Sequence, residues 1–256
     1  MKTTGNTILI TGGGSGIGRG LAEAFHALGN KVIIAGRRKS ALDEVATANP
    51  GMAVMTLDIE DRTGIRAFAA KVATEHPDLN VLVNNAGIMR PETLLSQPDD
   101  LADAEATVVT NLLGPIRLTA ALLPQLRARP HAAIMMVSSG LAFVPLAMTP
   151  TYSATKAAIH SYSQSLRHQL KGAGVQVLEL APPYVQTELM GPGQASDPRA
   201  MPLKDFIAET MAILAASPDA TEICVEPVKP LRFAEANGNY DAVFKMLNDR
   251  MTEAPH

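Results

Sequence analysis

The chain has 256 residues, 46% of them apolar and 18% charged, with a formal net charge of −3. That length sits at the upper edge of what one hydrophobic core supports, so a single domain over residues 1–256 is expected. The charge leaves no electrostatic footprint for nucleic acid or an anionic membrane, no stretch reads as the ~20 apolar residues of a bilayer span, and the lone Cys224 cannot form an internal disulfide.

The first β-rich run is Thr7–Thr11. Its apolar part, Ile8-Leu9-Ile10, is too short for a signal-peptide core and leads into glycines rather than a cleavage site, so a cytoplasmic protein is expected. Next comes Thr11-Gly12-Gly13-Gly14-Ser15-Gly16-Ile17-Gly18, which opens a helix over Ile17–Leu28. Glycines in that place let the backbone turn sharply and approach a pyrophosphate, while the helix start offers free N–H donors and the positive end of its dipole. Gly12, Gly14, Ser15, Gly16, Ile17 and Gly18 are therefore the candidate phosphate cradle of a dinucleotide. The spacing is Gly-x-x-x-Gly-x-Gly.

The second strand, Lys31–Ala35, ends in Gly36-Arg37-Arg38. A site for NAD usually carries an acidic side chain there for the ribose hydroxyls. Here Gly36 leaves that space open, and Arg37, with Arg38 beside it, can hold a 2′-phosphate by charge-assisted bonds. NADP(H) is the better fit; the competing reading is two solvated arginines at the start of a helix. That helix spans Lys39–Ala48, and a third strand follows at Met52–Leu57. Asp58-Ile59 then stands where adenine would lie, the carboxylate on the exocyclic amine and the isoleucine against the ring.

A helix over Arg62–Glu75 and a strand over Asn80–Val83 lead to Asn84-Asn85-Ala86-Gly87. A long helix over Asp103–Arg127 carries Asn111 in its middle. The strand Ala132–Val137 ends in Ser138-Ser139, and the helix Tyr152–Lys171 opens with Tyr152-Ser153-Ala154-Thr155-Lys156. The strand Val175–Leu180 runs into Pro182-Pro183-Tyr184-Val185-Gln186-Thr187. Residues 188–202, rich in Gly, Pro, Met and Ser, read as a mobile loop beside the site. The helix Leu203–Ala216 and the strand Glu222–Glu226 complete the alternation. A C-terminal extension over 227–256 holds one more helix, Asp241–Arg250.

Most of these strands are near-continuous apolar runs, as expected of strands covered on both faces. Strict alternation with helices requires right-handed crossovers. The expected fold is α/β, a single-domain Rossmann-type, doubly wound parallel sheet of about seven strands with helices on both faces.

Taken together, the Thr-Gly-rich loop, Asn84-Asn85-Ala86-Gly87, Asn111, a serine pair and Tyr152-x-x-x-Lys156 resemble the short-chain dehydrogenase/reductase family in its compact branch of about 250 residues. The resemblance runs from about residue 5 to 190, and the segment 145–190 most resembles a bacterial branch associated with teichoic-acid D-alanylation genes. It implies an oxidoreductase that moves a hydride between NADP(H) and a carbonyl or alcohol, with Ser139, Tyr152, Lys156 and Asn111 as the catalytic set. The family pattern places the serine thirteen residues before the tyrosine, on Ser139; Ser138 is the competitor. Asn85, Ala86 and Gly87 would line the cofactor site. Pro182, the Val185 backbone and Thr187 would bind the carboxamide, although Pro183 stands where the family usually has glycine.

In that scheme Tyr152 is the acid/base. Lys156 lies one helical turn on, on the same face, and would also hold the nicotinamide ribose. Bringing a phenol from ~10 to ~7 needs only ~4 kcal/mol, within reach of two nearby cations. Ser139 would orient the substrate oxygen. Asn111 would anchor a water leading from Lys156, or satisfy a helix irregularity, or both. The apolar run Leu141–Met148, with Leu189, Met190 and Met201, suggests a hydrophobic pocket for a small or medium apolar substrate, with core packing as the alternative for each. Tyr184 would reach substrate or a partner subunit. His160, on the same helix as Tyr152, reads as a packing or interface residue.

No metal is expected. The family implies a homodimer through the two long helices; many relatives go on to tetramers through the last strand, but the longer tail here favours a dimer. The rival reading is a non-catalytic NADP(H)-binding redox sensor on the same fold.

Overall fold

The computed structural model describes residues 1–93 and 101–252, the side chains of 250–252 excepted. Seven parallel strands form its one sheet: β1 Thr7–Thr11, β2 Lys31–Gly36, β3 Ala53–Thr56, β4 Val81–Asn84, β5 Ala132–Val137, β6 Val175–Leu180 and β7 Glu222–Ile223, in the order β3-β2-β1-β4-β5-β6-β7. The chain reverses direction across the sheet between β1 and β4, and the crevice at the carboxyl ends of those strands is where such sheets bind ligands. The doubly wound parallel sheet expected from the sequence is the fold observed.

Side-chain alternation along the strands divides the core in two. Ile8, Ile10, Val32 and Ile34 face one side, with α1 (Gly16–Ala27), α2 (Lys39–Ala48) and α8 (Leu203–Ala216) supplying Leu21, Phe25, Leu42 and Phe206. Leu9, Ile33, Leu82, Ile134 and Met136 face the other, against Phe68 of α3 (Arg62–Glu75), Leu118 and Leu122 of α5 (Gly114–Arg127), and Ile159 and Leu166 of α6 (Pro150–Gln169). Burial on both faces explains the unbroken apolar strands.

Where the structure departs from the expected elements, proline is usually the cause. The helix bearing Tyr152 begins two residues early because Pro150 suits the first helical turn. The strand β7 closes after Ile223, and the short helical turn that follows contains Pro227, which has no N–H for a ladder. The long helix over 102–127 is not uniform: α4 (Ala102–Val108) passes through a π-helical turn at Val109–Leu113 before α5. Pro115 denies the Asn111 carbonyl its usual donor four residues on, which accounts for the irregularity at that point.

By length and mean hydropathy, 102–127 also meets the requirement for a membrane span, contrary to the expectation that no stretch would. It packs instead on the sheet through Leu118, Leu122 and Leu126.

Residues 188–202 are less irregular than expected. They hold α7 (Pro192–Ala195), and a parallel bridge pairs Val185 with Met201. Gln194 Nε2 donates to the Val185 carbonyl at 2.8 Å, tying the segment down. Beyond β7 the chain forms α9 (Lys229–Arg232) and α10 (Tyr240–Thr252), which fold back so that Ala234, Val243 and Phe244 close over Val144. The last four residues of the expected extension lie outside the described residues.

Candidate active site

The carboxyl ends of β1, β2, β4, β5 and β6 open into one cavity of about 410 Å³. The turn after β1 brings Gly12, Ser15, Gly16 and Ile17 to its wall, and Gly12 is at φ +69°. A Cβ there would lie 2.9 Å from Asn85 Nδ2, so glycine lets the loop and the end of β4 meet. Ser15 precedes α1 without a side-chain cap, and the first turn of α1 carries no acidic residue. Its N–H groups and positive dipole end are thus left facing the cavity.

Gly14 and Gly18 were expected to bind cofactor, but neither lines the cavity. A Cβ on Gly14 would touch Ala41 of α2 at 3.3 Å, and one on Gly18 would lie 2.3 Å from the Gly12 carbonyl oxygen. They shape the loop by close packing. Thr11 opens the glycine motif, yet no role of its own was expected for it. Its Oγ1 accepts from the N–H groups of Asn85 and Ala86, both at 3.0 Å, and Asn85 Nδ2 donates back to the Thr11 carbonyl at 2.9 Å. Asn85, Ala86 and Gly87 all line the cavity.

Gly36, Arg37 and Arg38 form the rim beyond β2. Arg38 reaches Ser15 Oγ at 3.3 Å, and Arg37 pairs with Glu60 at 3.1 Å. Ile59 lines the cavity as expected. Asp58 does not: its carboxylate is exposed and accepts from the Glu60 N–H at 3.0 Å, an Asx turn that draws it away from the expected adenine contact. On the opposite wall stand Pro182, Pro183, Val185 and Thr187. Pro183 is accommodated with Gly140 N–H still bonded to the Pro182 carbonyl at 2.8 Å. Thr187 Oγ1 accepts from Gln194, and its methyl faces Gly16.

The floor carries the chemistry. Tyr152 and Lys156 project from the first turns of α6, one turn apart, both buried. Lys156 Nζ donates to the Val137 carbonyl at 2.8 Å and lies 5.5 Å from the centre of the Tyr152 ring. Ser139, at the end of β5, lines the same floor; its Oγ accepts from the Leu141 N–H at 3.1 Å, and its hydroxyl favours ionisation of Tyr152. Ser138, the competitor, turns its hydroxyl to the Leu180 carbonyl. Asn111 is held by the main chain of Ile88, its Oδ1 accepting at 2.9 Å and its Nδ2 donating at 2.8 Å, with Thr155 Oγ1 at 3.4 Å. Asn111 lies in the π-helical turn, and its side chain ties that turn to the loop after β4 and to α6.

Burial sets the electrostatics. It pushes the Tyr152 phenol up to about 12, and the Ser139 hydroxyl pulls only partly the other way. Burial likewise lowers Lys156 to about 8, against the charge of Glu179. The expected acidification concerns the site with oxidised nicotinamide beside Lys156; in the protein alone, burial is the largest influence on the phenol. At neutral pH the pair is a neutral phenol beside a cationic amine.

The apolar run expected to form a substrate pocket stands apart from the cavity, and most of it is only half-buried. Val144 and Leu146 are buried, Val144 against the C-terminal extension, and no residue of Leu141–Met148 lines the cavity. Of the loop residues expected there, Leu189 reaches the cavity but Met190 and Met201 do not. The Tyr184 hydroxyl donates to Asp197 at 3.1 Å, a carboxylate that Arg199 holds well below its ordinary range. His160, expected as a packing or interface residue, packs edge-on against Phe143 at 4.8 Å and also meets the buried Glu179 at 2.7 Å.

Comparisons with known proteins bear on the family and the fold. The family model described as short chain dehydrogenase matches residues 6–197. An uncharacterized oxidoreductase of Bacillus subtilis, DltE, is 39% identical over 97% of this chain and 98% of its own. It belongs to the bacterial branch that residues 145–190 resemble. A short chain dehydrogenase of Pseudocercospora fijiensis is 30% identical over 98% of this chain and 84% of its own. Among solved structures, a short chain dehydrogenase from Burkholderia cenocepacia in complex with NADP superposes with a TM-score of 0.80 at 26% identity, covering all of both chains.

Proposed function

Since the chain belongs to the short-chain dehydrogenase/reductase family, we propose that it is an NADP(H)-dependent oxidoreductase that reduces a carbonyl to an alcohol, with Tyr152 as the proton donor. The observation that carries this reading is the Ser139–Tyr152–Lys156 cluster at the floor of the cavity whose walls are the glycine loop and the Arg37-Arg38 rim.

The cavity fits a dinucleotide. The uncapped start of α1 suits a pyrophosphate, the space over Gly36 and the two arginines suit a 2′-phosphate, and Ile59 suits adenine. The solved relative with NADP supports the same preference. When bound, such a cofactor supplies the hydride.

The chain's own residues supply the rest. Ser139 orients the substrate oxygen and donates to it as charge develops. Tyr152, neutral at physiological pH, gives that oxygen its proton. Lys156 stabilises the phenolate left behind and is placed to hold ribose hydroxyls. A proton-bearing phenol beside an ammonium is the state needed before reduction, which is why reduction is the direction proposed. Asn111 fixes the main chain of Ile88 at the cavity wall, and in this reading its main-chain carbonyl, which Pro115 cannot serve, anchors a water leading from Lys156.

The assembly that goes with this reading is a cytoplasmic homodimer through α4–α5 and α6. Supporting it, Leu112, Ile116 and Tyr162 are only half-buried, and Ala154, Ala157 and Ser161 give α6 a small-residue outer face.

The test is NADPH oxidation with a panel of ketones, aldehydes and quinones, comparing wild type with Tyr152→Phe. A loss of about 10²–10⁴-fold in kcat is expected for the variant. Equal turnover in the two would remove Tyr152 from the mechanism; NADPH binding without turnover on any carbonyl would favour the sensor reading.

A further inference from the structure

Beneath Lys156 the fold buries a second charged side chain for which the proposed reaction has no use. Glu179 lies on β6, between β5 and β7, and is 0% exposed. A carboxylate in such a place is costly unless a counter-charge meets it. Val175 and Val177, on its side of the strand, pack in the core layer that includes Ile159 and Leu166, so Glu179 faces α6. Its Oε2 stands 2.7 Å from His160 Nδ1, while Oε1 has no hydrogen-bond partner among the described residues.

Two cationic or titratable residues of α6 border this place. Lys156 precedes His160 by one turn on the same helix face. Its ammonium sits on the carbonyl of Val137, whose register partner is Leu180, the neighbour of Glu179. Arg167, further along α6, is engaged elsewhere, with the carbonyls of Val177 and Thr221. From β7, Glu222 is the register partner of Glu179, and Arg232 of α9 takes both its oxygens at 2.7 and 3.1 Å. Cys224 is the other titratable group on that edge. His160, Glu179 and Glu222 come within 4.8 Å of one another. With Glu222 neutralised by Arg232, the group is an ion-pair network rather than a cation site. Arg232 also covers the Phe143 ring, whose plane meets the His160 ring edge-on at 4.8 Å, so the C-terminal extension helps fix the histidine.

We propose that Glu179 is a positioning residue for Lys156: a buried carboxylate, aligned by His160, that provides the counter-charge keeping this lysine cationic beside Tyr152. The inference rests on the reading of Lys156 as the partner of Tyr152. Burial and Glu179 act on the lysine in opposite directions, and burial alone would carry it below the about 8 at which it stands.

Direct titration of Lys156 tests this in the full-length protein without substrate or nucleotide. Protein labelled at lysine ¹³Cε is titrated by NMR, with Lys156→Met used to assign the resonance. The midpoint is expected at least about one pH unit lower in Glu179→Gln than in wild type, with His160→Gln between the two. An unchanged midpoint in Glu179→Gln overturns the proposal. If that variant does not fold, His160→Gln decides, and a wild-type midpoint there overturns it equally. In NADPH-dependent reduction, the alkaline limb of kcat/KM should move to lower pH in Glu179→Gln. A purely structural glutamate would lower the rate at every pH and leave that limb in place. A wild-type enzyme inert toward every carbonyl would sink the proposed reaction, while the NMR midpoints would still decide for or against Glu179.

Discussion

Arg37 meets Glu60 at the rim of the cavity, Nη1 to Oε1 at 3.1 Å, and the same carboxylate oxygen accepts from Thr110 Oγ1 at 2.8 Å. The arginine side chain is 53% exposed, so the pair adds little to stability. Its consequence is for nucleotide choice: Glu60 holds the guanidinium over the open space at Gly36 but must yield it to a 2′-phosphate. NADPH should bind about 100-fold tighter than NADH, roughly 3 kcal/mol. Arg37→Ala should remove about tenfold or more of that difference, and Glu60→Gln should tighten NADPH without helping NADH. Fluorescence titration of both nucleotides measures this. An unchanged NADPH affinity in Arg37→Ala would assign the 2′-phosphate elsewhere.

Gly18→Ala should damage the fold rather than the chemistry alone. The new methyl would stand 2.3 Å from the Gly12 carbonyl oxygen and 2.5 Å from Asn85 Nδ2, both in fixed positions. Overpacking of this kind costs about 1–3 kcal/mol, and urea unfolding should show it along with weakened nucleotide binding. Wild-type stability in the variant would mean that the loop can shift from the path described.

The pH dependence of stability carries a signature of Lys156. Its folded-state value of about 8 lies below its ordinary value of 10.5, so the unfolded chain holds more protons between those limits. Stability therefore rises with pH across that window, by about 3 kcal/mol from this one group. Below pH 8 the buried ammonium is a cost present in full. Relative to Lys156→Met, wild type should gain stability between pH 8 and pH 10. Parallel stability curves from urea denaturation would contradict this.

Removing residues 240–256 should slow turnover more than it weakens nucleotide binding. Val243 and Phe244 pack on Val144, and Asn248 Oδ1 accepts from the Ala147 N–H at 2.7 Å, all in the segment joining Ser139 to Tyr152. Loosening that segment misplaces the two hydroxyls, and small misplacements cost up to about 10²-fold in rate. The glycine loop and Arg37 are untouched. A fall in kcat with NADPH affinity within about twofold is the expected result, and a loss confined to NADPH affinity the opposing one.

Much of this protein is legible in its amino-acid order because local rules suffice. Apolar runs such as Ile8-Leu9-Ile10 fix a strand covered on both faces, glycines at fixed offsets fix the turn after it, and a residue four positions after Tyr152 must share its helix face. Those rules sufficed for the parallel sheet and the glycine loop, whereas the grouping of Ser139 with Tyr152 and Lys156 followed from the family resemblance; the fold brings all three to one cavity.

What they do not determine is which distant groups meet in the dry interior. No local signal tells that Glu60 faces Arg37, that Asp58 turns outward, or that Leu141–Met148 packs under an extension almost a hundred residues away. The same holds for Glu179 and Tyr152, whose electrostatics follow from desolvation and neighbours brought in by other strands and helices. The strength of a charge depends on the dielectric around it, and only the packed fold sets that.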